Sequence, residues 1–199
     1  MHNDRDATPV EFWQSRYQKK STSWNLGTVA PPFVSLWETQ KESFPIGKLV
    51  ALGCGYGHDP AFFGKQGFDA LGLDYAPTAI QEAQALYGEW TCFREADIFN
   101  LPSNLVAQFD YVLEHACFCA IPIERRKDYI QAVLQLLKPN GIFIGLFITE
   151  FDGNGPPWVV SSEELKILFQ PFFELELLDI PKDSIEPKGK ELLCVFRRK

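Results

Sequence analysis

Apolar and polar positions along the chain fall into short blocks whose period alternates between that of a strand and that of a helix. Lys48-Leu49-Val50-Ala51-Leu52 is an apolar run ending in glycines, the form of a strand buried on both faces. Asp69 to Asp74 predicts a second strand that ends on a carboxylate, Trp90 to Arg94 a third and Phe109 to Leu113 a fourth. The unbroken apolar run Ile142 to Ile148 predicts a central strand. Helical spacing fills the intervals. His58 to Lys65 reads as a short helix closed by Gly67, and Pro77 to Tyr87 as a helix with proline in its first turn. Arg125 to Lys138 repeats apolar residues at Ile130, Val133, Leu134 and Leu137 and is stopped by Lys138-Pro139-Asn140-Gly141. Ser161-Ser162-Glu163-Glu164 opens a helix to Phe169, with a hydroxyl cap and acids in the first turn. Two strands follow without a helix between them, Phe172 to Ile180 and Glu191 to Arg197, joined by the polar loop Pro181 to Lys190. Five strand–helix units and a final strand pair predict an α/β sheet, mostly parallel with an antiparallel last strand, and helices on both faces.

Composition narrows the class. The 199 residues suit one domain, and 46% hydrophobic against 23% charged residues supply a core, which excludes disorder as the main state. No apolar run reaches the roughly 18 residues that span a bilayer. The start, Met1-His2-Asn3-Asp4-Arg5-Asp6, has neither the basic nor the apolar region of a secretory signal. A net charge of −7 with no basic block disfavours nucleic acid and membrane surfaces as partners. The five cysteines are odd in number and sit mostly in apolar segments, as reduced thiols do, so a cytoplasmic location is expected. No Cys or His pair has zinc-site spacing, and no metal is expected. A small-molecule substrate remains, handled by a chain expected to be a monomer.

The candidate chemistry begins at Gly53-Cys54-Gly55-Tyr56-Gly57, between a predicted strand and a predicted helix. Glycines there let the backbone turn sharply and let a ligand lie against it. Asp74 closes the next strand at roughly the 20-residue spacing where an acid receives ribose hydroxyls. Asp97, after the third strand, is placed to accept from an adenine amino group. A dinucleotide pattern would need glycine at His58, but the third glycine comes one residue early, at Gly57. The loop also lacks a basic side chain for phosphates. A cationic, phosphate-free nucleoside such as S-adenosylmethionine (SAM) fits these residues better.

The order Leu-Gly-Cys-Gly-Tyr-Gly57, Leu-Gly-Leu-Asp74, Glu-Ala-Asp97-Ile98, Phe-Asp110 and Leu-Leu-Lys-Pro139-Asn-Gly141 resembles the class I SAM-dependent methyltransferases, with their Rossmann-like sheet. Trp13-Gln14-Ser15-Arg16-Tyr17, Thr22 to Gly27, His115 to Ala120 and Gly153 to Trp158 look like segments of the thiopurine S-methyltransferase family, nearest its halide and thiol methyltransferases. The resemblance runs over nearly the whole chain. It implies a single methyltransferase domain, residues 1–199, in which residues 1–45 form a lid over the cofactor. It further implies that Trp13, Tyr17 and Trp24 close over SAM, while Gly53, Gly55, Asp74, Asp97, Ile98 and His115 line the rest of its site. Tyr17 stands where tryptophan is usual in the family, and His115 and Trp158 where plant members often carry tyrosine.

The expected reaction is in-line transfer of the SAM methyl group to a small soft nucleophile: a thiol, a halide or thiocyanate ion, or a thiopurine, with S-adenosylhomocysteine as product. Such acceptors make a strong general base optional, and His115 is the candidate if one is needed. Phe33, Phe118, Phe151 and Trp158 are expected to contact the acceptor. Cys117 and Cys119 are expected to be inert. Two alternatives stay open: a SAM-binding or nucleoside-sensing module without turnover, and an NAD-dependent oxidoreductase.

Overall fold

A computed structural model of the chain describes residues 9–153, 155–185 and 191–199. The first residues of the expected lid, Asn154 of the Gly153–Trp158 motif and the end of the expected loop after Pro181 lie outside them. The elements run α1 (Val10–Gln18), α2 (Pro31–Gln40), β1 (Lys48–Leu52), α3 (His58–Lys65), β2 (Asp69–Asp74), α4 (Pro77–Tyr87), β3 (Cys92–Glu95), β4 (Phe109–His115), α5 (Arg126–Leu136), β5 (Leu137–Ile148), α6 (Ser162–Phe169), β6 (Phe173–Asp179) and β7 (Glu191–Arg198). Among the described residues, seven strands form one sheet in the order β3-β2-β1-β4-β5-β7-β6. Neighbours from β3 to β5 pair in parallel, and β7 runs antiparallel to both β5 and β6. The strand order reverses between β1 and β4. Their carboxyl ends therefore open a crevice, the usual binding place of an open α/β sheet.

Alternation along the strands sends side chains to two cores. Leu49, Ala51, Tyr111 and Ile144 face one side with Phe33, Leu36 and Phe63. Val50, Leu52, Val112 and Phe143 face the other, with Tyr129, Val133, Leu165 and Phe169 from α5 and α6. Phe169 stacks on Phe196 at 4.7 Å and lies 4.9 Å from Phe143. Burying each such ring contributes about 1.5–3 kcal/mol, and much of the phenylalanine content is consumed here. No helix among the described residues is long and apolar enough to cross a membrane.

Three expectations need correction. The helix expected to reach Lys138 stops at Leu136, and β5 starts at Leu137 and runs 12 residues through Lys138-Pro139-Asn140-Gly141. Lys138 precedes a proline, which disfavours helical geometry there, and the fully buried Leu137 pairs with Phe109 instead. Among the described residues, no α-helix links β3 to β4. A 3-10 turn at Ser103–Leu105 does so, and four of the five expected strand–helix units remain. Helix α2 was not expected at all. Pro31 and Pro32 occupy its first turn, where a missing N–H costs nothing, and Phe33 and Leu36 give it a buried face.

Candidate active site

The glycine loop leaves β1 with Gly53, Gly55 and Gly57 at φ of +57°, +54° and +80°. A side chain at Gly53 would be strained by that φ, and its Cβ would stand 2.7 Å from Cys117 Sγ. At Gly57 the obstacle is the Phe93 ring, 2.5 Å from a built Cβ, and the same ring stands 2.5 Å from one at Gly72. Asp74, at the end of β2, staples the loop to its own strand. Its Oδ2 accepts from the Gly55 N–H at 2.8 Å and its Oδ1 from the Ala76 N–H at 2.9 Å. The Tyr75 N–H also approaches the carboxylate, which, with about four acceptor sites on its two oxygens, keeps room for a ligand hydroxyl. Burial pushes the carboxyl above its usual range, against the pull of those backbone donors. His58, where a dinucleotide loop would carry glycine, bonds instead to Tyr87 Oη at 2.8 Å and Asn25 Oδ1 at 3.0 Å. It ties the segment after α1 to the far end of α4.

Asp97 follows β3, and its Oδ1 accepts from the Phe99 N–H at 2.9 Å in a tight turn. Its second oxygen has no partner among the described residues. Ile98 beside it rests on the core. Across from this edge, α1 lies on the start of α4. Gln14 donates to Thr78 Oγ1 at 2.6 Å and accepts from the Thr78 N–H at 3.0 Å, capping α4 from outside. Spacing of i and i+4 puts Trp13 and Tyr17 on one face of α1, and Trp24 returns to meet both, with ring centres 5.5 Å and 5.9 Å away. Tyr56 of the glycine loop joins them 5.4 Å from Tyr17.

A cavity of about 950 Å³ lies between this aromatic wall and the strand ends. Trp13, Tyr17, Trp24, Gly53, Gly55, Asp74, Asp97, Ile98 and His115 all line it. So does Phe151, of the four residues expected at the acceptor. The other three do not. Phe33 is 0% exposed, within the α2–α3 core, and its ring stands at right angles to that of His115, 5.9 Å between ring centres. Phe118 is 1% exposed and packs on Tyr129 and Phe147. Trp158 stands off the wall: its backbone N–H donates to the Cys119 carbonyl at 2.7 Å and its indole fills the space beside Gly155. Arg126, only 2% exposed, holds that segment by donating to the Trp158 and Val159 carbonyls at 2.8 and 2.9 Å and to Glu164 at 2.5 Å.

The segment after β4 carries the remaining chemistry. His115 Nδ1 lies 2.7 Å from Asp59 Oδ2, and Asp59 Oδ1 accepts from the Ala30 N–H at 2.8 Å. Burial opposes protonation of His115, but the adjoining Asp59 carboxylate, with Glu191 and Glu114 nearby, outweighs it and holds the imidazole above its ordinary range. Glu114, 1% exposed, accepts from the Cys117 and Phe118 N–H groups at 2.9 and 2.7 Å and from the Tyr129 hydroxyl. Burial pushes its carboxyl up to about 7. These bonds hold the turn in which Ala116 takes φ +60°, an uncommon backbone for alanine. Burial also lifts the Cys117 thiol well above its ordinary range and Cys119 to about 12, so neither is a ready nucleophile. Asp59 and Tyr56 line the cavity too, as do Arg16 and Arg125, the latter with its guanidinium 3.6 Å above the Phe99 ring. Sequence reasoning singled out none of these four. Only Asp59 carried a local signal, as an acid in the first turn of a helix beginning at the glycine loop.

The donor set fits a SAM-like cofactor. Asp74 and Asp97 offer carboxylate acceptors at the strand ends, the glycine loop carries no cation for phosphates, and Trp13, Tyr17 and Trp24 line the same cavity. Comparison with known proteins agrees. The thiopurine S-methyltransferase family model matches residues 8–198. Thiocyanate methyltransferase 1 of Arabidopsis thaliana is 31% identical over 196 residues, covering 94% of this chain and 84% of the relative. A thiopurine S-methyltransferase of Psychrobacter cryohalolentis is 26% identical over 193 residues, covering 85% and 88%. Among solved structures, a protein from work on the conversion of a disulfide bond into a thioacetal group in echinomycin biosynthesis superposes with a TM-score of 0.81 at 21% identity, covering 96% of this chain and 92% of that one. A Burkholderia thailandensis N1-methyltransferase with S-adenosylhomocysteine bound gives 0.67 at 19%, covering 97% and 91%. The two structures speak to the fold, and the family match to kinship: the chain belongs to the thiopurine S-methyltransferase family of SAM-dependent methyltransferases.

Proposed function

We propose that this protein transfers a methyl group from SAM to a small soft nucleophile, a thiol, a thiocyanate or halide ion, or a thiopurine, within one domain whose residues 1–45 act as a lid. The observation that carries this is the cavity at the β1–β4 switch point, in which ribose-type and adenine-type acceptors, an aromatic wall and His115 all meet. At about 950 Å³ it lies at the upper end of the roughly 300–1,000 Å³ of ordinary small-molecule sites, enough for a nucleoside and a second small molecule.

Bound SAM supplies an activated methyl group on a sulfonium cation. The Gly53–Gly57 backbone lets the cofactor approach without a Cβ in the way. Asp74 receives ribose hydroxyls on its remaining lone pairs, and the unpartnered oxygen of Asp97 receives the adenine amino group. Trp13, Tyr17 and Trp24 keep water out and offer ring faces to positive charge, an attraction worth about 0.5–2 kcal/mol. A dry wall favours reaction of an anion with a cation, because charge is neutralised as the bond forms. The names and coverage of the sulfur-methylating relatives support a sulfur acceptor.

Incubation with SAM and a panel of thiols, thiocyanate, iodide and a thiopurine tests the reading, with methylated product and S-adenosylhomocysteine measured together. Turnover of at least one sulfur acceptor is expected. SAM binding without product from any acceptor favours a sensor, and nicotinamide nucleotide binding without SAM binding favours an oxidoreductase.

A further inference from the structure

His115 and Asp59 form a pair that the methyl transfer itself does not require. An ionised carboxylate only accepts hydrogen bonds, so the 2.7 Å contact makes Nδ1 the protonated nitrogen of His115. Asp59 cannot swing away, since its other oxygen holds the Ala30 N–H at the entry to α2. The ring also meets Phe33 at right angles, 5.9 Å between ring centres. That leaves Nε2. It has no hydrogen-bond partner among the described residues, and the buried side-chain atoms without partners are Arg126 Nε and Ser184 Oγ. The His115 side chain keeps 16% of its surface exposed and lines the cavity, and Nε2 is the ring nitrogen left for a ligand there.

We propose that Asp59 is a positioning residue that fixes this tautomer, so that Nε2 of His115 accepts the proton of a neutral thiol, making small protonated thiols, hydrogen sulfide included, the acceptor class for which the site is built. This rests on the methyltransferase reading above. In the step, the S–H proton passes to Nε2 as the sulfur lone pair forms the new S–CH₃ bond. The bond between the methyl carbon and the sulfonium sulfur breaks, leaving its electron pair there. The products are a methyl thioether, neutral S-adenosylhomocysteine and an imidazolium, which later returns its proton to water. Charge and atoms balance without another reactant. The carboxylates near the ring, Asp59 on α3, Glu191 on β7 and Glu114 on β4, all favour the imidazolium that forms.

Thiocyanate, an acceptor without a proton, provides the comparison. Rates are measured against pH in the wild-type protein at saturating SAM, with an alkyl thiol, a more acidic aryl thiol and thiocyanate. Thiol turnover should rise as His115 loses its proton, at the same pH for both thiols, and thiocyanate turnover should show no such rise. Asp59→Asn should move that limb to lower pH, because the anion that favours the imidazolium is gone. His115→Gln should lower the thiol-to-thiocyanate rate ratio about 10²-fold, the lower range for a positioned base. A limb that follows each thiol's own ionisation overturns the proposal in favour of thiolate capture from solution. Thiocyanate turnover that falls through the same pH overturns it in favour of an imidazolium anion site. Failure of all three acceptors would instead strike the methyltransferase reading beneath it.

Discussion

Glu114 offers a measurement in which the structure sets both sign and size. Its carboxyl is enclosed among the Cys117 and Phe118 N–H groups and the Tyr129 hydroxyl, and burial brings it to about 7 from an ordinary value of 4.5. Between those values the native protein holds a proton that the unfolded chain has released. Stability from this group is therefore present at low pH and lost as pH rises towards and through 7. From pH 5.5, just above the isoelectric point of 5.0, to pH 8 the loss comes to about 2 kcal/mol by linkage. Glu114→Gln keeps the shape: the amide oxygen accepts both N–H groups, and its NH₂ faces the Tyr129 oxygen, which accepts from it. The amide cannot ionise. Relative to wild type, the variant should gain about 2 kcal/mol between pH 5.5 and pH 8, read from urea unfolding at the two values. Glu114→Ala, which orphans three buried donors, should be destabilised at both, by about 1–3 kcal/mol for each group left unpaired. If the stability of the Glu114→Gln variant relative to wild type stays constant or falls with rising pH, the placement of the ionisable proton on Glu114 is refuted.

Other changes separate site from scaffold. Asp74→Ala removes the acceptor for the Gly55 and Ala76 N–H groups together with the proposed ribose contact. S-adenosylhomocysteine affinity by calorimetry should fall by about 1–3 kcal/mol, and an unchanged affinity would remove Asp74 from the site. Phe33→Ala should lower unfolding stability by about 3–5 kcal/mol, the cost of emptying a buried ring position. If only the acceptor KM changed, Phe33 would belong on the cavity wall after all. Gln14→Ala breaks both bonds to Thr78 and should speed hydrogen exchange in α1, with a loss of about 1–3 kcal/mol across the two. Unaltered exchange would show that ring packing alone holds α1.

Much of the sheet is legible in the sequence, because parallel strands buried on both faces read as unbroken apolar runs, as at Lys48–Leu52 and Ile142–Ile148. The glycine loop, Asp74 and Asp97 are legible for a related reason: strand ends in this topology converge on one crevice, so their order predicts their meeting. What escapes is set by distance or by competition. Asp59 bonds a histidine 56 positions away, and no local pattern marks that partnership. A phenylalanine beside a loop looks the same whether it meets a ligand or the core, and Phe33 and Phe118 went to the core because two apolar layers required them. Pro31-Pro32 reads as a loop until the buried face behind it is seen. Leu137 satisfies a helical period, yet the strand takes it, since the proline two residues on ends the helix.

The Phe93 ring has a consequence for how this chain can diverge. It occupies the space that a side chain at Gly57 and another at Gly72 would each need. The three positions, on the glycine loop, β2 and β3, therefore constrain one another. A relative that shrinks residue 93 still meets Cys54 Sγ 2.8 Å from a Cβ at position 72, so alanine there needs both neighbours to give, whereas position 57, with φ +80°, resists in any case. Correlated change at 54, 72 and 93, with 57 lagging behind, is the trace this packing should leave among descendants.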